Sequence, residues 1–344
     1  MNLKETVKPW VFGLDEYVPG KTIEGCIKLA SNENNYGPSM KVVKAIRDSA
    51  GKVYVYPYRY PELKEKIARY CKVKPENVIL GNGSDELMDF VLKTFRGRTA
   101  SVYPSYAEYE LVPRIYDIEP VSVPLDKNFK FNVKNFIKKI KNTNILFLGN
   151  PNNPTGTVIS KGDIEKILKT EKIVVVDEAY VEFYGKSVVE LTKKYNNLIV
   201  LRTFAKAFGL AGLRVGYMIA DAKVIGLMER IRPPFNVNSI AIEAAVAALD
   251  DVAYMKKCVE KIRKDRKILY KELGKKFKAY PSEANFLLVD VSPMSADGFY
   301  RKLLDKKIIV RKFGKFSGFR GNFVRISVGT EKENKKLVEA IDSI

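Results

Sequence analysis

The chain has 344 residues, with 60 Lys plus Arg against 40 Asp plus Glu, a net charge of +20 and no histidine. Every mechanism that uses imidazole as base, relay or metal ligand is therefore excluded, and acid–base work falls to lysine, tyrosine, a carboxylate or a cofactor. Cys26, Cys71 and Cys258 lack the spacing of a zinc site, redox pair or disulfide framework. The opening MNLKETVKPW is charged where a signal peptide needs an apolar core, and no apolar run approaches the ~20 residues of a membrane span. A soluble, cytoplasmic protein of two lobes is expected.

In chain order, short apolar runs alternate with helical patterns. Residues 77–83, 99–104, 119–124, 144–150, 172–178, 197–203 and 214–220 read as strands. Several are apolar throughout, as expected for a sheet covered on both faces by helices. SDELMDFVLKTF (84–95) and SKGDIEKILKT (160–170) read as helices, each opened by a capping serine. This is a large α/β domain. After Pro233 and Pro234 the pattern becomes a helical stretch from Ser239 through Phe277, three strands (FLLVDV, KIIVRKF, FVRISVG) and a closing helix, KENKKLVEAIDSI. That is a smaller α+β domain.

The most basic segment, residues 256–278, is the place to look for nucleic-acid binding. Met255, Val259, Ile262, Leu269 and Leu273 recur there at three- and four-residue spacing, which makes the segment a helix with one packed stripe and solvated charges. No recognition motif accompanies it. The positive charge is better read as attraction for anionic ligands or as the Lys-rich surface of heat-adapted proteins.

Polar motifs follow the predicted strands, where open α/β sheets bind ligands. GNGSDE (81–86) is a glycine turn entering a helix N-terminus, suited to a phosphate. GNPNNPTG (149–156) is a rigid turn that offers Asn153 as an amide donor. DEAY (177–180) places Asp177 at the edge of a dry site, where a carboxylate costs several kcal/mol unless a cation meets it. Lys206, in FAKAFGLAGLRVGY (204–217), has almost no polar company until Arg214. A desolvated amine of this kind can be a nucleophile and can hold an aldehyde as a Schiff base.

An amine, a phosphate-binding turn, a carboxylate and an amide donor together meet the needs of pyridoxal phosphate. The motifs YVPGK (17–21), LASNEN (29–34), GNGSDE, NPNNPTG, DEAYVEF, KAFGLAGLRVGY, SEANFLLV (282–289) and VRISVGT (324–330) run in order over nearly the whole chain. In them the chain resembles the fold-type I, pyridoxal-phosphate-dependent aminotransferases, and specifically the histidinol-phosphate aminotransferase family.

The resemblance implies a mostly parallel seven-stranded sheet and three parts: an N-terminal arm (1–35), a large cofactor-binding domain (36–238) and a small domain (239–344). It implies that Lys206 holds the cofactor aldehyde, that Asp177 pairs with the ring nitrogen, and that Tyr180 and Asn153 bond the phenolate oxygen. Tyr106 would stack on the ring. Ser84, Asp85 and Arg214 would meet the cofactor phosphate. Tyr56 would reach the phosphate of the other subunit, which implies a homodimer. For the substrate, Arg311 and Arg325 would hold the anionic head, with Asn153 beside them and Tyr17 near the imidazole end. The reaction implied is transamination of L-histidinol phosphate with 2-oxoglutarate, giving imidazole acetol phosphate and glutamate in histidine biosynthesis. An aromatic amino acid aminotransferase and a threonine-phosphate decarboxylase share the same cofactor motifs. One departure is Ala205: the family usually has Ser or Thr there, with its hydroxyl on the cofactor phosphate. A hydrogen bond to a charged group contributes about 1.5–3 kcal/mol, so weaker cofactor affinity is expected unless Thr203 or water compensates.

Overall fold

A computed structural model describes residues 2–14 and 20–344. The strands, in chain order, are β1 (Ile27–Leu29), β2 (Val78–Gly81), β3 (Thr99–Tyr103), β4 (Val121–Pro124), β5 (Ile145–Gly149), β6 (Ile173–Asp177), β7 (Leu198–Thr203) and β8 (Gly216–Ala220). They continue with β9 (Lys278–Ala279), β10 (Phe286–Asp290), β11 (Ile308–Gly314) and β12 (Phe323–Ser327). All seven strands expected from the first two thirds of the chain join one sheet of order β2-β8-β7-β6-β5-β3-β4. Only β8 runs against its neighbours.

The continuous apolar character of β5, β6 and β7 has a direct structural cause. Leu146, Leu148, Val174, Val176, Leu198 and Val200 enter a core on one face of the sheet, whereas Ile145, Phe147, Val175, Ile199 and Leu201 enter a separate core on the other. Side chains alternate across a strand, so a strand buried on both faces needs an apolar residue at every position.

The second sheet has the order β1-β11-β12-β10-β9. The three-residue β1, too short to stand out in the sequence, pairs parallel with β11, Leu29 opposite Val310. β11 and β12 are antiparallel and set Arg311 directly opposite Arg325. The C-terminal helix Glu331–Asp342 begins with a reciprocal capping box between Thr330 and Glu333.

Two local expectations are corrected. The stretch 239–277 is two helices, Ser239–Leu249 and Val252–Gly274, interrupted at Asp250 and Asp251. Aspartate favours helix ends over interiors, and the Asp250 carboxylate is drawn outward to Lys66. The stripe Met255, Val259, Ile262, Leu269 and Leu273 is buried in the second of these helices. Ser160 caps the helix Lys161–Leu168 as expected, accepting from Asp163 N–H. Ser84 does not cap its helix: Gly83–Thr94 starts one residue earlier, after Asn82, with no side-chain cap. This leaves Ser84 inside the first turn.

The register gathers the functional loops at one edge of the large sheet. Gly149 lies opposite Asp177, and Asp177 opposite Leu201, so β5, β6 and β7 end together. Because β8 is antiparallel, its first residue, Gly216, lies beside Thr203 of β7 and Gly81 of β2. The segments carrying Asn153, Tyr180, Lys206 and Ser84 leave the sheet where the segment carrying Arg214 enters it, as expected of ligand sites in open α/β folds.

Candidate active site

A cavity of about 330 Å³ opens at this edge and is lined by residues from both sheets. Lys206, Asp177, Tyr180, Asn153, Ser84, Asp85, Tyr106, Arg214, Arg311 and Arg325 all line it. Tyr56 does not. It is 73% exposed and stacks on Phe235, with ring centroids 4.5 Å apart. Tyr17 lies outside the described residues.

Lys206 follows β7 in a turn. Its Nζ donates to Ser31 O at 3.2 Å and lies 5.9 Å from the centroid of the Tyr180 ring. Burial, then the Arg325 guanidinium, pushes the amine down to about 8 from its ordinary 10.5. A substantial neutral fraction near physiological pH is what a nucleophilic or basic lysine requires.

Asp177 closes β6 and is buried. Burial lifts its carboxyl to about 6, against the opposing effect of two hydrogen bonds, one from the Tyr109 hydroxyl to Oδ2 at 2.8 Å and one from Ala179 N–H to Oδ1 at 3.0 Å. A cation placed beside this carboxyl would favour its ionised form. Tyr109, itself buried, was not distinguished in the sequence, where it is one of 19 tyrosines.

Asn153 is fixed by Arg325, whose Nη1 donates to Asn153 Oδ1 at 2.6 Å and whose Nη2 donates to Ala30 O at 2.6 Å. The amide is left with Nδ2 as its donor. The neighbouring Asn152 braces the turn, bonding Pro104 O, Thr155 Oγ1 and Ser105 Oγ.

Arg214 and the N-terminus of the helix Gly83–Thr94 form a cradle for an anion. Arg214 has φ 52° and pairs with Asp85 at 2.8 Å, and the Tyr106 hydroxyl donates to the other Asp85 oxygen at 3.2 Å. Two glycines permit the approach. A Cβ on Gly83 would lie 2.5 Å from Arg214 Nη2, and one on Gly216 would lie 2.9 Å from Gly83 C and 3.0 Å from Ser84 N. At Ala205 the backbone N–H bonds Thr203 Oγ1 at 3.0 Å, and Thr203 lines the same cavity. A hydroxyl thus stands two residues from the missing one.

These residues fit pyridoxal phosphate. They offer an amine of lowered pKa for its aldehyde, a buried carboxylate for its ring nitrogen, and a helix N-terminus with an arginine and a glycine-permitted gap for its phosphate.

Residues 24–341 match the sequence model of aminotransferase class I and II. The chain belongs to that family. Histidinol-phosphate aminotransferase of Methanocaldococcus jannaschii is 38% identical, the match covering 99% of this chain and 98% of that protein. Among solved structures, the histidinol-phosphate aminotransferase from Clostridium acetobutylicum superposes with a TM-score of 0.86 at 31% identity, covering 92% of this chain and 98% of that one. The histidinol-phosphate aminotransferase from Sinorhizobium meliloti, in complex with pyridoxal-5'-phosphate, gives 0.85 at 26% identity over 98% of each chain. Within this aminotransferase family frame, the seven-stranded sheet, β8 included, is the fold-type I large domain. Asn32, Ser31, Glu33 and Tyr109 also line the cavity, although no local motif gives them a role.

Proposed function

We propose that this protein catalyses pyridoxal-phosphate-dependent transamination of L-histidinol phosphate with 2-oxoglutarate, reversibly giving imidazole acetol phosphate and glutamate in histidine biosynthesis. The observation that carries the substrate choice is the register of β11 on β12. Arg311 and Arg325 are direct cross-strand partners, and both line the cavity that contains Lys206 and Asp177. Residues directly opposite on antiparallel strands project to the same face, so two guanidinium forks serve one anionic head, as a phosphate dianion calls for. Support comes also from the relatives named histidinol-phosphate aminotransferase, 35–40% identical over nearly the full chain.

The bound cofactor supplies the aldehyde and the electron sink for the reaction. Lys206 would hold that aldehyde and, released as a neutral amine, take the proton from the substrate carbon that bears the nitrogen. Asp177 would keep the ring nitrogen protonated. Tyr180 and Asn153 would donate to the phenolate oxygen, and Tyr106 would cover one ring face. Ser84, Asp85 and Arg214 would fix the phosphate. Arg311 and Arg325 would orient the substrate head, with Tyr17 toward the imidazole.

Tyr56 belongs to an exposed apolar strip that includes Val53, Tyr54, Val55 and Tyr58. A second copy covering this strip would bury it and bring Tyr56 to the partner cavity, so a homodimer is part of the proposal, as is a cytoplasmic location. Among the described residues no helix is long and apolar enough to cross a membrane. Sedimentation of the wild type and Tyr56→Ala tests the dimer.

The deciding experiment adds L-histidinol phosphate, histidine, phenylalanine or threonine phosphate separately to the cofactor-loaded protein and follows conversion to the aminated cofactor. Histidinol phosphate should react fastest. A preference for phenylalanine would move the assignment to aromatic aminotransferases, and release of carbon dioxide from threonine phosphate would move it to the decarboxylases.

A further inference from the structure

Three consecutive residues of the N-terminal segment each meet a different functional side chain. Ala30 O accepts from Arg325 Nη2 at 2.6 Å, Ser31 O accepts from Lys206 Nζ at 3.2 Å, and Asn32 Nδ2 donates to the Tyr180 hydroxyl oxygen at 2.9 Å. The first two contacts use backbone oxygens, which many sequences could supply. The third depends on the Asn32 side chain. Asn32 is 1% exposed and held at φ 57°, a left-handed conformation that asparagine tolerates better than most residues. Asn285 Nδ2 holds its carbonyl at 2.9 Å.

The hydrogen bonds around Asn32 have a fixed direction. Its backbone N–H can only donate, and it donates to Ser327 Oγ at 2.9 Å. The buried Ser327 hydroxyl in turn donates to Asn32 Oδ1 at 3.0 Å, its one acceptor among the described residues, so a turned amide would leave that proton unpaired. With Oδ1 committed as acceptor, the amide must present Nδ2 to Tyr180, and an amide nitrogen only donates. The Tyr180 oxygen therefore accepts, and its own proton must find another acceptor. Among the described residues no protein group takes it, and Tyr180 lines the cavity. The ring is packed edge-on against Phe286 at 5.2 Å, and the charged groups that act on Tyr180 are Arg325, Asp177 and Asp85, with Lys206 over its face.

The geometry points to Asn32 as a positioning residue: the Ser327–Asn32 pair locks Tyr180 as a hydrogen-bond donor into the cavity, toward an anionic oxygen of the bound cofactor. This rests on the proposed cofactor and on the role proposed for Tyr180. Without the lock, a tyrosine hydroxyl can turn a lone pair to that oxygen and repel it.

The test is a spectrophotometric pH titration of the cofactor absorption band in the holoprotein, for Asn32→Asp, Asn32→Gly, Ser327→Ala and Tyr180→Phe, with both Asn32 substitutions and Ser327→Ala repeated in the Tyr180→Phe background. Asn32→Asp offers Tyr180 an acceptor and reverses the chain. The midpoint should rise by about one to two pH units, the shift that loss of a hydrogen bond to a charged oxygen produces. Asn32→Gly keeps the backbone conformation and leaves the tyrosine proton free to choose, so its shift should be smaller. The difference between Asp and Gly should shrink to less than half in Tyr180→Phe, where only the added charge acts. Equal midpoints for Asp and Gly, or the same separation in both backgrounds, would overturn the proposal. If the Asn32 variants do not fold, Ser327→Ala decides: freeing the amide to turn should raise the midpoint in the native background and not in Tyr180→Phe, and an unmoved midpoint in both refutes the lock. A wild-type protein with no titrating cofactor band would instead refute the cofactor assignment itself.

Discussion

The Tyr109 hydroxyl donates to Asp177 Oδ2 at 2.8 Å, while its ring meets the Tyr106 ring edge-on with centroids 5.6 Å apart. The residue that steadies the buried carboxylate thus also braces the aromatic proposed to cover the cofactor. Tyr109 stacks in turn on Phe147 of β5 at 5.7 Å, so one chain of contacts joins the carboxylate and the aromatic to the sheet core.

Asp177 should therefore show a trade between stability and function. Burial raises its pKa from 3.8 to about 6. Between these values the folded apoprotein binds more protons than the unfolded chain, so stability falls as pH rises through that window and the loss is complete above it. Two pKa units correspond to about 3 kcal/mol. Asp177→Asn apoprotein should be more stable than wild type by up to about that amount at pH 7, with little difference at pH 4. The cofactor-loaded variant should lose proton abstraction by orders of magnitude while still binding substrate. Chemical denaturation at the two pH values measures the first effect and stopped-flow half-reactions the second. Equal stabilities at pH 7 together with an unchanged rate would make Asp177 an ordinary structural carboxylate.

Lys206→Ala should abolish turnover, because one substitution removes both the aldehyde anchor and the proposed base. The cradle at Ser84 and Arg214 is untouched, so cofactor binding should persist in weakened form. In the wild type, borohydride reduction followed by peptide mapping should place the cofactor on Lys206 alone. An adduct on another lysine would refute the central assignment. The apoprotein titration has its own sign. The amine is pushed down to about 8, so between pH 8 and 10.5 the unfolded chain binds more protons and the Lys206 contribution to stability improves as pH rises.

How far these parts could be read in advance follows from their physics. Asp177 closes a strand, Asn153 and Lys206 stand just past strands and Arg214 just before one; the apolar runs of these strands are unmistakable, and the residue types are unusual for a dry sheet edge. Tyr109 and Asn32 act through geometry made by residues distant in sequence, Asp177 in one case and Tyr180 and Ser327 in the other, and nothing in their local spacing distinguishes them. The pairing of Arg311 with Arg325 depends on the register between two strands, which a bulge near Lys312 and Gly314 shifts just beyond the pair. Local pattern does not encode such a register. The break at Asp250 was masked for a different reason: helical periodicity continues on both sides of a two-residue turn.

Gly216→Ala should damage the anion cradle specifically. Its Cβ would sit 2.9–3.0 Å from Gly83 C, Arg202 O and Ser84 N, all backbone atoms that cannot swing aside. β8 and the helix N-terminus must separate, at about 1–3 kcal/mol for an overpacked site. Cofactor dissociation should become faster, and inorganic phosphate should protect the apoprotein less in thermal melts. Gly212→Ala meets nothing within 4 Å and serves as the control. Equal phosphate protection in both variants would dissociate the cradle from phosphate binding.

Arg311→Lys tests the paired forks through charge geometry. Arg325 is buried and already engaged by Asn153 and Ala30, so its orientation is set before substrate arrives, and it is proposed to receive the anionic head of both half-reaction substrates. Arg311, directly opposite on β11 and partly exposed, would add the second fork that a phosphate dianion can use and a carboxylate cannot. Lysine keeps the positive charge but loses planar bidentate donation. The specificity constant for histidinol phosphate should fall several-fold to a hundredfold, equivalent to about 1–3 kcal/mol and the range of one charge-assisted hydrogen bond. Phenylalanine and glutamate should lose much less. Parallel half-reactions with the three amines measure this ratio directly. An equal loss on all three would mean that Arg311 supplies only background charge, and the phosphate selectivity proposed for this site would have to come from elsewhere in the cavity.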